Sequence, residues 1–211
     1  MAVADRNNGD NRPRAWQRML SGRRLDLLEP SPLDVEIEDI AHGLARVARW
    51  NGQTRGDHAF SVAQHSILVL EIFSGALGET DPANQLTCLL HDAPEYVIGD
   101  MISPFKAVMG GDYKVIEERL QAAIHMRFSL PAATPVRLKQ KIKKADTIAA
   151  FFEATALAGF SEAEARKFFG RPQGISPDSL PLAPWPAALA QKNFLKRFRL
   201  LEEALSGARV R

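Results

Sequence analysis

Apolar side chains in this chain recur every three to four residues rather than every second one. From Glu36 onward, Ile37, Ile40, Ala41, Leu44, Val47 and Ala48 keep that spacing, which lines one side of a helix but would scatter over both faces of a strand. The pattern predicts an amphipathic helix ending near Trp50, where Asn51-Gly52 stops it. A largely apolar run from Phe60 to Leu77 predicts a buried helix with His65 near its start. Asp81-Pro82 supplies a cap and a first-turn proline for a third helix, from about Ala83 to Tyr96. Further helices are expected over Asp112 to Arg127 (Val115, Ile116, Leu120, Ala123 and Ile124 forming its apolar side), Val136 to Leu157, Ser161 to Phe169 and Ala187 to Leu205. Gly99 and Pro104 predict a loop or short turns from Asp100 to Lys106, and repeated prolines keep Arg171 to Pro186 irregular. No alternating run is long enough to argue a sheet, so the fold class is all-α.

With 211 residues, 45% of them hydrophobic, the chain can bury one substantial core without needing two domains. The expected organisation is an N-terminal arm over 1–32, a single domain over 33–206 and a C-terminal tail over 207–211. No apolar stretch approaches membrane-spanning length, and the start is polar and carries both acids and arginines, so a soluble cytoplasmic protein is expected. Cys88 is the only cysteine, which rules out an intrachain disulfide and suggests a small buried side chain. The formal charge of +2 is too balanced to favour long nucleic acid, and leaves a small anionic substrate open. Two basic runs, Arg137 to Lys144 and Lys192 to Arg199, read as solvated helix faces. A phosphate-binding loop ending in Gly-Lys-Ser/Thr and a dinucleotide glycine fingerprint are both missing, which speaks against ATP-driven and nicotinamide chemistry.

Chemistry concentrates in His91-Asp92-Ala93-Pro94-Glu95, directly after the apolar segment Leu86 to Leu90. An adjacent histidine and aspartate can offer a nitrogen and an oxygen to one divalent metal, and Glu95, three residues on, falls beside them on a helix as an acid or base. Asp146 sits in the small, apolar setting Ala145 to Ala150 after a basic run and needs a partner there. His42 and His125 have apolar neighbours and read as packing or hydrogen-bonding residues. Asp100, after Gly99, could simply cap a turn; Arg49 could be an exposed helix-end arginine and Trp50 a buried one.

The ordered set His65, His91, Asp92 and Asp146 resembles the HD-domain metal-dependent phosphohydrolases, with a histidine on one helix, the doublet on another and an isolated aspartate on a later one. Arg49-Trp50, Glu95 and Asp100 stand in the same order as in the bacterial 5'-deoxynucleotidase branch, and the resemblance covers roughly Ile37 to Phe152. It implies an HD-domain helical bundle in which His65, His91, Asp92 and Asp146 hold one divalent ion per subunit. Two imidazoles and two carboxylates suit Mn, Co, Fe, Ni or Zn. By the same resemblance Glu95 and Asp100 are catalytic, handling protons of the water and the leaving 5'-oxygen. Arg49 holds phosphate and Trp50 forms an aromatic or sugar-facing wall. The loop from Trp50 to His65 is longer than in that branch and adds His58, which could contact phosphate or an added substrate group, or lie on the surface.

The activity implied is hydrolysis of a (deoxy)nucleoside 5'-monophosphate by a homodimer. Two alternatives stay open: hydrolysis of a cyclic or alarmone-type nucleotide, although Tyr96 stands where alarmone hydrolases carry a second acid, and a non-catalytic metal-containing nucleotide-binding protein.

Overall fold

Local caps decide where the helices begin. Ser61 accepts from the Gln64 backbone N–H at 3.2 Å to open one helix, and Asp81 accepts from Ala83 and Asn84 ahead of Pro82. Ser161 and Glu164 form a reciprocal capping box at another. The computed structural model describes residues 15–101 and 111–209, and these are predominantly α-helical. In chain order the elements are β1 (Trp16–Arg18), β2 (Arg24–Asp26), α1 (Ile37–Leu44), α2 (Val62–Glu71), α3 (Pro82–Leu89), α4 (Glu95–Ile98), α5 (Gly111–Arg127), α6 (Val136–Ala156), α7 (Glu162–Phe169) and α8 (Ala187–Arg209). No helix among the described residues is long and apolar enough to cross a membrane.

The core is built around α2, whose residues Val62 to Leu70 are all buried. It packs against α3, α6 and α8, and a single wider turn, Ile72–Ala76, prolongs it. The terminal helix α8 reaches the core through Ala190, Phe194 and Phe198, spaced four apart on one face, with Phe198 edge-on to Phe128 at 4.8 Å. Cys88 is fully buried, as its setting suggested. The proline-rich stretch is irregular but anchored. Gln64 donates to the carbonyls of Pro181 and Ala183, both at 2.8 Å, and accepts from the Trp185 N–H at 2.9 Å.

Four expectations need correction. First, the arm holds a small antiparallel hairpin pairing Trp16 with Asp26 and Arg18 with Arg24; strands of three residues are too short to show alternation. Its Leu25 is fully buried. Second, the first helix stops at Leu44 instead of running to Trp50. Residues 47–49 turn their backbone groups to 60–62 instead, with Val62 N–H donating to Val47 at 3.0 Å and Arg49 N–H to Phe60 at 2.8 Å. Third, the expected helix from Ala83 to Tyr96 is broken: α3 ends at Leu89, and His91 and Asp92 lie in a tight turn before α4. Pro94 has no N–H for the helical ladder, and the neighbouring N–H groups of His91, Ala93 and Glu95 bond three residues back. Fourth, Val115 is exposed rather than part of the apolar side of α5, whereas Leu120, Ala123 and Ile124 are buried. Of the loop expected over Asp100 to Lys106, residues 102–106 lie outside the described residues, as do 1–14 of the arm and 210–211 of the tail.

Gly43 sets how α1 meets α4. A Cβ there would lie 2.8 Å from both the Cβ and the carbonyl oxygen of Tyr96. Gly43→Ala should therefore lower stability by about 1–3 kcal/mol, because a backbone clash outweighs the roughly 1 kcal/mol that alanine contributes to a helix. Urea unfolding measures this, and an equally stable variant would show that the two helices do not need this close approach.

His125 is buried on α5, as its apolar setting implied. Its Nδ1–H donates to the Pro131 carbonyl at 3.0 Å, and Nε2 accepts from the Gln121 amide at 2.7 Å, which also donates to Leu90 at 3.1 Å. Burial pushes the imidazole below its ordinary pKa, against a smaller upward pull from the Pro131 carbonyl. The folded chain thus keeps the ring neutral where the unfolded chain, titrating near ~6.5, takes up a proton. Stability from this group is full above that pH and falls as pH drops below it, by at most about 1.4 kcal/mol per pH unit until the folded ring also titrates. Unfolding at pH 7.5 and 5.5 should show a smaller loss for His125→Gln than for the parent; equal losses would assign the acid sensitivity elsewhere.

Candidate metal centre

Three separated elements deliver the polar groups. His65 projects from the first turn of α2, His91 and Asp92 come from the turn between α3 and α4, and Asp146 lies midway along α6. One ligand atom from each of His65, His91 and Asp146 falls within 4.8 Å of the others, a cluster that can coordinate a divalent ion. His65 Nε2 is 3.4 Å from Asp146 Oδ1. Asp92 Oδ2 faces the same space, 3.5 Å from His65 Nε2 and 3.3 Å from His91 Nε2. Such separations are long for hydrogen bonds. They lie at or just beyond the roughly 3.0–3.4 Å between neighbouring ligand atoms that each lie about 2.1 Å from a common ion.

The histidine tautomers favour an ion as well. His91 Nδ1 lies 2.9 Å from the Cys88 carbonyl, which can only accept, so Nδ1 carries the hydrogen and Nε2 the lone pair. His65 Nδ1 lies 2.5 Å from Glu153 Oε1 and donates in the same way. Both Nε2 atoms are buried without a hydrogen-bond partner and face carboxylate oxygens. In a neutral ring each Nε2 lone pair would face a carboxylate, a repulsion that a proton or a cation between them relieves, and a hydrogen-bond acceptor on the other ring nitrogen is how metal-ligating histidines are commonly oriented.

The charges agree. Burial would raise the Asp92 carboxyl, yet His91 and His65 hold it well below the usual carboxylate range. Asp146 is likewise held low against burial, chiefly by His65. Burial and Arg49 press the His65 ring toward neutrality, but Glu153, Asp146 and Asp92 prevail and raise it well above its ordinary value. A proton and a divalent cation compete for such a position. The centre is open on one side, where Asp92 is a quarter exposed and the exposed Lys143 reaches Asp146 Oδ2 at 2.6 Å.

Around this cluster the structure gathers several other sequence-derived candidates. Arg49 opens a short turn, Arg49–Gly52, in which Trp50 and Asn51 have left-handed φ of 56° and 50°. Holding a non-glycine residue there costs about 1–3 kcal/mol. Trp50 is kept in place by its indole N–H, which donates to Glu153 Oε2 at 2.9 Å, and by tilted and edge-on contacts with Phe160 and Phe169. The Arg49 guanidinium lies 3.5 Å from Asp100 and 3.4 Å from Glu153; burial alone would lower its pKa, but these carboxylates raise it, so it stays charged. Glu95 is buried at the start of α4, not solvent-facing. His58 stays exposed in the loop after the Arg49 turn, and among the described residues no hydrogen bond or ion pair ties it to the centre.

Glu153 was not among the residues singled out from sequence. Its signal was faint: an acid two helical turns beyond Asp146, hence on the same side of α6, inside the otherwise apolar run Ala149 to Ala154. It is fully buried, and although burial would raise its pKa, the charges of His65 and Arg49 bring it down to about 2.

Chains loaded with Mn²⁺ or Co²⁺ and then dialysed should retain about one ion each, and Asp146→Ala or His91→Ala should weaken binding by more than the roughly 10–100-fold typical of outer-sphere changes. Elemental analysis of the dialysed protein reads this directly. Full ion content in both variants would mean that the cluster is not the binding site.

No family model matches the chain. It is 55% identical over 194 residues to the uncharacterized protein RCAP_rcc00048 of Rhodobacter capsulatus, which covers 92% of this chain and 99% of that one. It is also 33% identical over 106 residues to the uncharacterized protein YfdR of Escherichia coli, covering 49% of this chain and 54% of YfdR.

Proposed function

Because this chain belongs to one family with the Rhodobacter capsulatus protein along nearly the whole of both, we propose an activity of the domain as a unit: metal-dependent phosphomonoester hydrolysis by an HD-domain fold. The substrate we assign is a nucleoside or deoxynucleoside 5'-monophosphate, as the resemblance to the bacterial 5'-deoxynucleotidases implies. The reading takes 33–206 as the phosphohydrolase domain and a homodimer as its working form. One observation carries it most. Two buried imidazole Nε2 atoms and two carboxylates converge near a half-buried guanidinium, which would set a cation site beside a group able to hold a phosphate dianion.

His65, His91, Asp92 and Asp146 would hold the ion, which when bound supplies Lewis acidity that activates water and offsets phosphoryl charge. Arg49 presents parallel N–H donors suited to two phosphoryl oxygens and stabilises the charge they gain in the transition state. Asp100, paired with Arg49 at 3.5 Å, aims that guanidinium and, as a carboxylate, relays to the leaving 5'-oxygen the proton that Glu95 takes from the attacking water. Glu95, one turn beyond Asp92, takes the proton released by the attacking water. The P–O5' bond breaks as the new P–O bond forms, and nucleoside and inorganic phosphate leave. Tyr96 is buried against Gly43, so the position after Glu95 offers no second acid, which supports a monoester over an alarmone-type substrate.

Phosphate release should be measured from metal-free protein reconstituted with Mn²⁺, Co²⁺, Ni²⁺, Zn²⁺ or Mg²⁺ and offered dAMP, dGMP, dCMP, dUMP and dTMP. Turnover is expected with at least one ion, is lost in Asp92→Ala, and drops about 10²–10⁴-fold in kcat for Asp100→Asn. Release confined to cyclic or pyrophosphorylated nucleotides would replace the monoester reading. Tight nucleotide binding without turnover on any ion would make the protein a sensor.

A further inference from the structure

Glu153 joins two halves of the site through different oxygens. Oε1 accepts from His65 Nδ1 at 2.5 Å, while Oε2 accepts from the Trp50 indole at 2.9 Å and faces Arg49 Nε and Nη2, both at 3.4 Å. A fully buried carboxylate is costly unless each lone pair has a partner, and here the partners come from α2 on one side and the Arg49 turn on the other. We infer that Glu153 is a positioning residue that couples ion affinity at His65 to the placement of the Arg49–Trp50 turn. This inference rests on His65 being a ligand, as proposed above, and adds a role for a residue that touches neither ion nor substrate.

The physical chain is short. Oε1 fixes the His65 tautomer and makes Nε2 a better donor to a cation. A cation drawing on Nε2 makes Nδ1–H more acidic, so more of the carboxylate's charge is committed to Oε1. Less is then available at Oε2 to hold the indole and the guanidinium. The Arg49 side chain is thereby freed to meet an anion once the ion is present. Linkage makes the effect reciprocal: whatever changes the Oε2 contacts changes the affinity for the ion by the same factor. Trp50, held in a left-handed backbone conformation, is the reporter nearest to that oxygen.

The test uses the full chain with Trp16→Phe and Trp185→Phe, which leaves Trp50 as the sole indole of the three tryptophans. Zn²⁺ alone is the probe, followed by calorimetry and by Trp50 emission. In this parent, Zn²⁺ should shift the emission. Glu153→Gln should weaken Zn²⁺ binding by about 10–100-fold and abolish the emission change at saturating ion. In the same parent, Trp50→Phe should change Zn²⁺ affinity severalfold, and adding it to Glu153→Gln should change nothing further, since both act through one carboxylate. A folded Glu153→Gln chain that binds Zn²⁺ within about threefold of the parent overturns the inference alone, as do strictly additive effects of the two changes. Should Glu153→Gln fail to fold by circular dichroism, Trp50→Phe decides, and unchanged Zn²⁺ affinity overturns the coupling. A parent that takes up no Zn²⁺ or other divalent ion brings down the proposed function together with it.

Discussion

The burial of α2 on every side is the constraint from which the rest of the arrangement follows. A helix so enclosed leaves no water for its polar side chains, and an unsatisfied buried group costs about 1–3 kcal/mol. Gln64, His65 and Ser66 are consecutive, so their side chains fan out about 100° apart. Ser66 turns back on the Val62 carbonyl at 2.9 Å. Gln64 clamps the proline-rich segment through three backbone groups, and His65 reaches across to α6. One buried turn thus fixes a loop on one side and the polar centre on the other.

The centre itself gathers charge that a core would ordinarily exclude. Asp92, Asp100, Asp146 and Glu153 surround Arg49 and two imidazoles. Carboxylates outnumber the guanidinium, and the imbalance is greatest where the two Nε2 atoms meet Asp92 and Asp146. Ending the helix at Leu89, ahead of Pro94, makes this possible, because an unbroken helix would keep His91 and Asp92 in a fixed register with Leu89 and Leu90. The tight turn lets the doublet leave that register while Glu95 resumes a helix beside it.

Much of the helical content was legible in the sequence because it rests on local rules: apolar spacing, the Ser61, Asp81 and Ser161 caps, and glycine or proline stops. Where α1 ends was not, since residues 47–49 leave the helix to pair with 60–62, a contact no local window contains. The hairpin was hidden by strands of three residues each. At the site, the His91-Asp92 doublet stood out because it interrupts an apolar segment, and Asp146 because it stands alone among alanines. Glu153 did not, for an isolated acid on a long helix looks like a surface residue until its partner, 88 positions earlier, is known. His58 shows the opposite limit, a chemically capable side chain that the loop leaves in solvent.

The three groups that share the centre come from positions 65, 91 and 146, with α5 and its flanking segments between the last two. A grip by all three on a cation would require closing both of those loops, at an entropy cost that rises only slowly with their length. During synthesis, a chain emerging from the ribosome would carry His65 and the His91-Asp92 turn well before α6 is available to meet them. A cation shared by all three would fasten α2, the turn after α3 and α6 to one another, a cross-brace between segments far apart in the chain.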